Sequence, residues 1–425
     1  MSLRALVVDV PPRPFEVARA LSGEPGFSFL WTAPGNGPSF VACRPSATCA
    51  ALDPEDALLP DPEKGPLGDV PRWIGLLPYE CRRSLERPRG SAARDARPEP
   101  WFSEPVWHRH GAVVRVAEDV RVVGDDPAAV RDLARLVRRR AEPRETASVV
   151  AVPDVAADDA HAARIRCALE LILDGEIYQV NLARRFDFRV TGGTLSLLGR
   201  LAGSARAPFA AAWESDGRAV VSSSPELFLD VSPRGRLLTL PIKGTRPRGI
   251  DASEDRRLAR ELDADPKERA ELAMVVDVER NDLGRVAVTG SVRVAGVPVV
   301  ETHGPVHHRV ARVAARLRPG TTRTALLEAM LPSGSVTGAP KIRAMEVIRD
   351  LEPSRRGLYT GAIGYLSHAG GLRLSMAIRV LQIRGGEGRY FSGGGIVLGS
   401  DPAREVLETR WKAAQVLALL GGAGS

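Results

Sequence analysis

Lys243 lies in Pro241-Ile242-Lys243-Gly244-Thr245-Arg246-Pro247-Arg248-Gly249, where proline and glycine constrain the backbone around a primary amine. The stretch reads as a stiff turn. A lysine held this way serves as a covalent nucleophile or as a fixed positive charge. Two glutamate pairs add a second kind of chemistry. Glu268 and Glu271 fall on one face of a helical pattern, and Glu405 and Glu408 on one face of another. Where two such faces meet, four carboxylates repel one another unless a cation compensates. Oxygen donors without a nearby His/Cys set favour Mg²⁺. The competing reading is solvated helix surface with Lys267, Arg269, Arg404 and Arg410 as partners.

Two glycine stretches follow the same logic. Ser333-Gly334-Ser335-Val336-Thr337-Gly338-Ala339-Pro340-Lys341 leads into a helical pattern, and free amides at a helix start suit a carboxylate or phosphate. The P-loop spacing is absent. Gly393-Gly394-Gly395 follows a strand pattern and permits close backbone approach. Either stretch is equally compatible with a plain structural turn. Arg379 sits in the apolar SMAIRVLQI, where a guanidinium needs a partner: a clamped carboxylate or a structural ion pair. Glu226 in SSPELFLD is either an exposed strand end or a carboxyl whose raised pKa suits a general acid. Together these residues suggest a Mg²⁺ enzyme acting on a small polyanion.

The elements that must position them are legible in outline. FSFLW, SFVACR, RWIGLLPYE, AVVRVA and VRVV are short strand patterns separated by turn residues. Asp53 to Asp69 and Cys81 to Pro100 read as loops, and Asp125 to Arg140 as a helix with Pro127 near its start. Glu142 to Asp159 reads as a connection. Asp158 or Asp159 is a candidate cap for the helix HAARIRCALELILDGE, and IYQVNLARRFDFRV reads as a strand. AVVSSSPELFLDVS and GRLLTLPIKG read as paired strands. The stretch ASEDRRLARELDADPKERAELAMVVDVERND reads as helix broken near Asp265-Pro266. APKIRAMEVIRDLE is helical; YTGAIGYLS, LRLSMAIRVLQI and GRYFSGGGIVLG are strands; PAREVLETRWKAAQVLALL is a last helix. Hairpin-like strand runs followed by helices favour α+β with antiparallel sheets over a doubly wound fold.

Composition narrows the class. The chain has 425 residues, 44% hydrophobic and 26% charged, enough for a large core. Net charge is +7, but the arginines are interspersed with acids and alanine and only 5% of residues are aromatic, which argues against nucleic-acid binding. No apolar run reaches membrane-spanning length and the N-terminus lacks a signal-peptide pattern, so the expectation is a cytoplasmic, non-membrane enzyme. The four cysteines are scattered without metal-ligand spacing and read as reduced thiols.

The ordered set of motifs resembles the chorismate-utilising enzymes: anthranilate synthase component I, aminodeoxychorismate synthase component I, and the isochorismate and salicylate synthases. The matching stretches are EIYQVNL (176–182), SPELF (224–228), PIKGTRPRG, KERAELAMVVDVERNDLGRV (267–286), SGSVTGAPKIRAME, LYTGAIGYLS, AIRVLQI, SGGGIVLGSDP and Glu408-Thr409-Arg410. The resemblance implies an anthranilate synthase component I-like α+β fold, two antiparallel sheets packed face to face with helices outside. It also implies a catalytic region over 155–420 and a divergent N-terminal part over 1–150, where only GLLPYE echoes the family. By resemblance Glu268, Glu271, Glu405 and Glu408 hold Mg²⁺, and the metal holds the ring carboxylate of chorismate near Ser335, Gly338 and Lys341. Tyr359, Arg379 and Gly393 to Gly395 meet the enolpyruvyl carboxylate. Gln179, Gly244 and Thr245 also line the substrate, His308 stands near the ring, and Glu226 protonates the departing C4 hydroxyl.

Two positions separate the subfamilies. Water-adding relatives carry a lysine where this chain has Gln179, and an amide is not a base near neutral pH. Anthranilate synthases usually carry alanine where this chain has Lys243, whereas aminodeoxychorismate synthases carry lysine. The resemblance therefore points to C4 amination, with anthranilate formation as the alternative and a non-catalytic homologue as a distant third. It implies ammonia from a separate glutamine amidotransferase subunit, since no glutaminase-like segment is expected in this chain, or free ammonia. A separate aminodeoxychorismate lyase would act on the product. The NPSPY-type and LLES-type segments of tryptophan-inhibited relatives are absent, so tryptophan is not expected to inhibit; saturable inhibition at micromolar tryptophan would contradict that. The family often has Glu-His at Glu271-Leu272, and Gly-Gly-Ser or Ala-Gly-Thr at Ser333-Gly334-Ser335; neither change removes a carboxylate.

Overall fold

The computed structural model describes residues 3–33, 36–55, 68–82, 95–139, 147–152, 157–205, 207–304 and 306–420. Most of the two N-terminal loops expected from composition, 56–67 and 83–94, lies outside them, as do 140–146 and 153–156 of the expected connection. Two antiparallel sheets dominate. One has 12 strands, with Arg218–Ser224, Val380–Arg384, Glu387–Val397 and Gln179–Thr191 adjacent in that order. The other has nine, including Arg236–Leu240, Leu227–Val231, Leu372–Met376, Ala362–Ser367 and Pro71–Leu77 in that order. A three-stranded sheet of Ile242–Pro247, Val306–Val310 and Val299–His303 stands apart from both.

The two large sheets face each other. Leu76 and Ile363 of one pack with Ala211 and Val220 of the other, and the rings of Phe40 and Tyr365 meet across the layer at 5.4 Å. Helices cover the outer faces. Pro14–Leu21, Pro127–Val137 and Pro402–Leu420 contribute to a core behind the larger sheet, and Pro266–Val286 and Arg323–Met330 to one behind the smaller. Apolar area removed from water on both sides of each sheet is what holds the layers together. The α+β architecture expected from the sequence is the one observed.

The first 150 residues do not form a separate layer. Ser28–Thr32 pairs with Phe209–Ser215, and Pro71–Leu77 pairs with Ala362–Ser367. Ser148–Ala151, inside the expected connection, is a strand on Gln179–Thr191. Asp158 and Asp159, expected as caps, instead lie inside the first turn of Ala157–Leu173, where their charge faces the helix start; the break near Asp265-Pro266 is where expected. Asp265 accepts from the amides of Lys267 and Glu268 with Pro266 in the first turn, so one helix ends at Ala264 and the next, Pro266–Val286, begins at once. Such a cap contributes about 1 kcal/mol.

Four expectations need correction. AVVSSSPELFLDVS and LRLSMAIRVLQI are not single strands. Each breaks in the middle and crosses from one sheet to the other: Arg218–Ser224 to Leu227–Val231, and Leu372–Met376 to Val380–Arg384. The second break has apolar residues on either side, so periodicity hides it, whereas the first is marked by Ser222-Ser223-Ser224 and Pro225, a residue that does not continue a central strand. The PIKGTRPRG stretch is a strand rather than a turn, bent by a register shift between Lys243 and Thr245. GRYFSGGGIVLG is a strand as read, so Gly393 to Gly395 lie inside Glu387–Val397 and do not follow it.

Candidate active site

Lys243 owes its direction to that register shift. Gly244 takes φ +75, which an L side chain resists, and the extra residue twists the strand. A Cβ on Gly244 would lie 2.6 Å from Leu262 Cδ1 and 3.0 Å from Glu268 Oε2. Glycine is therefore needed twice, for the backbone and for the close approach of Glu268. The Lys243 ammonium donates to the Ser335 carbonyl at 3.2 Å. Burial lowers its pKa, while the charges of Glu271, Glu226 and Glu268 oppose that shift. The free amine is thus more populated near neutral pH than on an exposed lysine. On the neighbouring strand, His308 is oriented through Nδ1 by the Thr245 hydroxyl (3.1 Å) and the Gly244 carbonyl (3.3 Å).

Glu226 is buried at the first crossover and is not an exposed strand end. Its Oε1 accepts from Ser335 Oγ at 2.8 Å. Burial pushes its pKa up to about 7; the Ser335 hydrogen bond and Lys243 pull it back, and Glu279 pushes it further. A carboxyl of that strength is protonated or ionised near neutrality, which suits proton transfer. Ser335 therefore joins the two reactive groups: its carbonyl holds Lys243 and its hydroxyl holds Glu226.

The glutamate pairs come together around Lys243, but each also has the basic company expected of a surface helix. Lys267 stands 3.8 Å from Glu271, Lys412 2.7 Å from Glu408, and Arg246 3.6 Å from Glu268. Ser400 Oγ donates to Glu405 at 2.8 Å. Burial raises the pKa of Glu271, and Glu268 and Glu405 raise it further. Burial likewise raises Glu405, assisted by Glu408. Burial also disfavours the Glu408 charge, but Lys412, Lys267 and Lys243 outweigh it and hold that carboxyl low. The two helices therefore sense each other's charge. Among the described residues no three His, Cys, Asp or Glu side chains close into a metal shell. The donor chemistry nevertheless fits Mg²⁺: oxygen only, mutually repelling, and partly desolvated.

Arg379 is not within a strand. It occupies the second crossover with φ +51, a conformation uncommon for a long side chain. Among the described residues no carboxylate forms an ion pair with it, and burial lowers its pKa. A half-buried guanidinium without an internal anion is suited to an external one. It senses the charge of Tyr390, the residue at which the larger sheet opens. Pairing between Val380–Arg384 and Glu387–Val397 stops at Tyr390, so the Gly393–Gly395 stretch has partners only along Gln179–Thr191.

Close approach explains the three glycines. A Cβ on Gly393 would meet Leu182 O at 2.7 Å and Asn181 Oδ1 at 2.9 Å; one on Gly394, Glu405 Oε2 at 2.9 Å; one on Gly395, Gln179 Nε2 at 2.7 Å. Gln179 Nε2 and Oε1, Asn181 Oδ1, Ser223 Oγ and Ser392 Oγ are buried without a hydrogen-bond partner. Buried polar atoms are rarely left so, and several in one region mark where a polar ligand belongs. Tyr359 is stacked on Phe391 (5.4 Å, 12°), with the Arg356 guanidinium over its ring at 5.6 Å.

Lys341 departs from the expected role beside the substrate. Its ammonium is buried against Asp282 Oδ2 (2.7 Å) and the carbonyls of Met330 (3.1 Å) and Ala329 (3.4 Å). It anchors the helix Lys341–Leu351 from below. Gly338 takes φ +145, and a Cβ there would strike the Gln179 carbonyl at 2.2 Å, so its contribution is to seat the loop on the strand. Two residues that sequence reasoning missed belong to the same region. Glu279 is buried, with Oε1 on Ser333 Oγ at 2.5 Å. Its signal was positional: Leu272, Val275, Val276, Leu283 and Val286 are the buried face of its helix, and Glu279 falls on that face. Arg356 makes a bidentate pair with Glu352 (2.6 and 2.9 Å) and donates to the carbonyls of Asn181 and Val336. It ties the long strand to the Ser333–Pro340 loop.

This set of elements matches a known family. Residues 39–418 fit the chorismate binding enzyme family, and the chain belongs to it. The match reaches well into the N-terminal part. Among its relatives, the aminodeoxychorismate synthase of Streptomyces griseus is 39% identical over 364 residues, covering 82% of this chain and 50% of that protein. The aminodeoxychorismate synthase component 1 of Bacillus subtilis is 35% identical over 357 residues, covering 80% and 75%. The structure of anthranilate synthase component I from Streptococcus pneumoniae superposes with a TM-score of 0.74 at 26% identity, covering 98% of this chain and 92% of that one. The chain spans about half the length of the first curated relatives it matches, 50%, 53% and 54%. No helix among the described residues is long and apolar enough to cross a membrane.

Proposed function

We propose that this chain aminates chorismate at C4, as the synthase component of an aminodeoxychorismate synthase. The observation that carries the reading is Lys243: an amine with lowered pKa, fixed to Ser335 beside Glu226. Anthranilate formation by direct attack at C2 needs no such amine.

The residues then divide the work. Arg379 receives the enolpyruvyl carboxylate, with the unpaired edge of Gly393–Gly395 and the unsatisfied amide of Gln179 beside it. The Lys243 amine attacks C2 as the ring double bonds shift and the C4–O bond breaks. Glu226 gives its proton to the departing hydroxyl, which leaves as water. Ammonia next attacks C4 and expels the lysine, and the new ammonium loses a proton. Glu271 and Glu405, with Glu268 and Glu408, would hold Mg²⁺ against the ring carboxylate. Bound there, the ion offsets the carboxylates' mutual repulsion and draws electron density from the ring. Gln179 offers no base for water, which keeps water from competing. His308, held through Nδ1 by Gly244 and Thr245, would stand beside the ring.

Ammonia is supplied by a glutamine amidotransferase subunit or taken free, and a lyase removes pyruvate from the product. The names of several relatives mark them as one component of a synthase, which supports a partnered enzyme. Incubation with chorismate, ammonium and Mg²⁺, followed by mass and fluorescence analysis, tests the reading. 4-Amino-4-deoxychorismate is expected. Fluorescent anthranilate formed without added lyase would identify the C2 enzyme instead.

A further inference from the structure

A buried chain of hydrogen bonds leads away from Glu226 on the side opposite Lys243's carbonyl contact. Ser335 Oγ lies 2.8 Å from Glu226 Oε1 and 3.0 Å from Ser333 Oγ, which lies 2.5 Å from Glu279 Oε1. All four residues are buried. The chain is closed by the Ser335 amide, which donates to Ser333 Oγ at 3.1 Å, and by the Thr239 hydroxyl, 3.4 Å from Glu279 Oε2.

The hydrogens can be counted. Three oxygen–oxygen links require three hydrogens, and the two serine hydroxyls supply two. The third must come from a carboxyl at one end. With a proton on Glu279, every link points toward Glu226; with it on Glu226, every link points toward Glu279. In both arrangements each serine oxygen donates once, and Ser333 fills its second acceptor position with the Ser335 amide. Two ionised carboxylates would leave the Ser333–Ser335 contact without a hydrogen.

We propose that Glu226 and Glu279 share one carboxyl proton through Ser335 and Ser333, and that Glu279 is a positioning residue that holds this proton in reserve and passes it to Glu226 for transfer. From Glu279 the proton passes to Ser333 as Ser333 gives its own to Ser335 and Ser335 gives its own to Glu226, and Glu226 then hands that one proton to the departing hydroxyl. The proton returns when the new C4 ammonium deprotonates, so the cycle neither gains nor loses one. The identity of the departing group rests on the amination reading; the shared proton does not.

The electrostatic surroundings agree. Burial pushes Glu279 up to about 7, as it does Glu226. Facing Glu279 are Asp282, which raises it, and Lys341, which lowers it; these two form their own pair at 2.7 Å. Facing Glu226 are Lys243 and Glu279 itself. Two groups of similar strength joined by a short wire titrate as a pair.

The test uses Glu279→Gln, which keeps the shape and a donor for Ser333, and Ser333→Ala, which removes the middle link. Infrared difference spectra across neutral pH read protonated carboxyls directly, with the Glu226 band assigned by its loss in Glu226→Gln. In Glu279→Gln the Glu226 midpoint should move to lower pH, because the neighbouring negative charge is gone. The alkaline limb of ammonium-dependent kcat should move with it while KM changes little. Ser333→Ala should lower kcat and raise its solvent isotope effect, because reprotonation becomes slow. A Glu226 midpoint unchanged in Glu279→Gln would overturn the pair. An unchanged kcat and isotope effect in Ser333→Ala would overturn the relay. If the wild type produces no 4-amino-4-deoxychorismate while the infrared midpoint still shifts, the amination reading fails and the shared proton stands.

Discussion

Glu226 and Arg379 occupy matching places in two neighbouring crossovers between the sheets. The Met376 amide donates to the Glu226 carbonyl at 3.0 Å, and the Ser223 amide to the Arg379 carbonyl at 3.1 Å. One ladder therefore continues through the gap where both chains change sheet. An acid and a cation are presented at the opening that this change of sheet creates.

The strain at Arg379 gives the first prediction. Replacement by glycine removes an unfavourable positive-φ conformation but adds freedom to the unfolded chain. Arg379→Gly should stay within about 1 kcal/mol of wild-type stability in urea unfolding. KM for chorismate should rise roughly 10–100-fold, the loss of a charge-assisted carboxylate clamp. An unchanged KM would remove Arg379 from substrate binding.

Lys243→Ala should reduce C4 amination by on the order of 10²–10⁴-fold, as for loss of a positioned catalytic group. Chorismate binding, read by calorimetry, should change much less. Turnover at the wild-type rate would reduce Lys243 to a fixed charge.

Glu226 predicts a pH dependence. Its folded pKa is about 7, raised chiefly by burial, so the acid form is lost as pH rises past that value and kcat/KM should fall there. The stability consequence has a definite sign. The unfolded carboxyl titrates near ~4.3, so the folded state binds more protons between there and about 7. Its contribution is full below that window and is lost as pH rises through it. Glu226→Gln should flatten this decline in thermal unfolding, and a parallel pair of curves would contradict the assignment.

Gly244→Ala should couple a backbone defect to the carboxylates. The new methyl meets Leu262 and Glu268 in a left-handed conformation. A destabilisation of about 1–3 kcal/mol is expected, with weaker Mg²⁺ binding by titration calorimetry as Glu268 is displaced. Chelation should abolish wild-type amination and added Mg²⁺ should restore it. Full activity in chelator would remove the metal from the reading.

Arg356→Met should be among the most damaging single changes away from the reacting groups. It leaves Glu352 buried and uncompensated and frees the carbonyls of Asn181 and Val336. A loss of roughly 3–5 kcal/mol is expected in denaturant unfolding. A loss below 1 kcal/mol would show that water or rearrangement replaces the pair.

Much of the site was legible because its residues carry local signatures. The helix break at Asp265-Pro266 and the three-residue spacing of both glutamate pairs are properties of adjacent residues. So is the amine between Pro241 and Gly244. Glu279 was legible in principle, as one of two acids with Asp282 on a largely apolar helix face, but adjacent residues do not say what it meets. Lys341 is a similar case: the resemblance puts it near the ring carboxylate, but adjacent residues do not show that Asp282 and two carbonyls hold its ammonium.

The sequence by itself determined the α+β class, the antiparallel strands and the residue types able to hold an anion, a metal and a proton. These follow from period, caps and side-chain chemistry, which act over a few residues. Only the tertiary structure decided that two apparently continuous strands break at Glu226 and near Arg379, and that Gly393 to Gly395 lie within a half-paired strand. It also brought Glu226 and Glu279 together through Ser335 and Ser333. Those outcomes depend on which sheet edge each segment meets, and contacts across 50 or 100 residues leave no periodic trace in the chain.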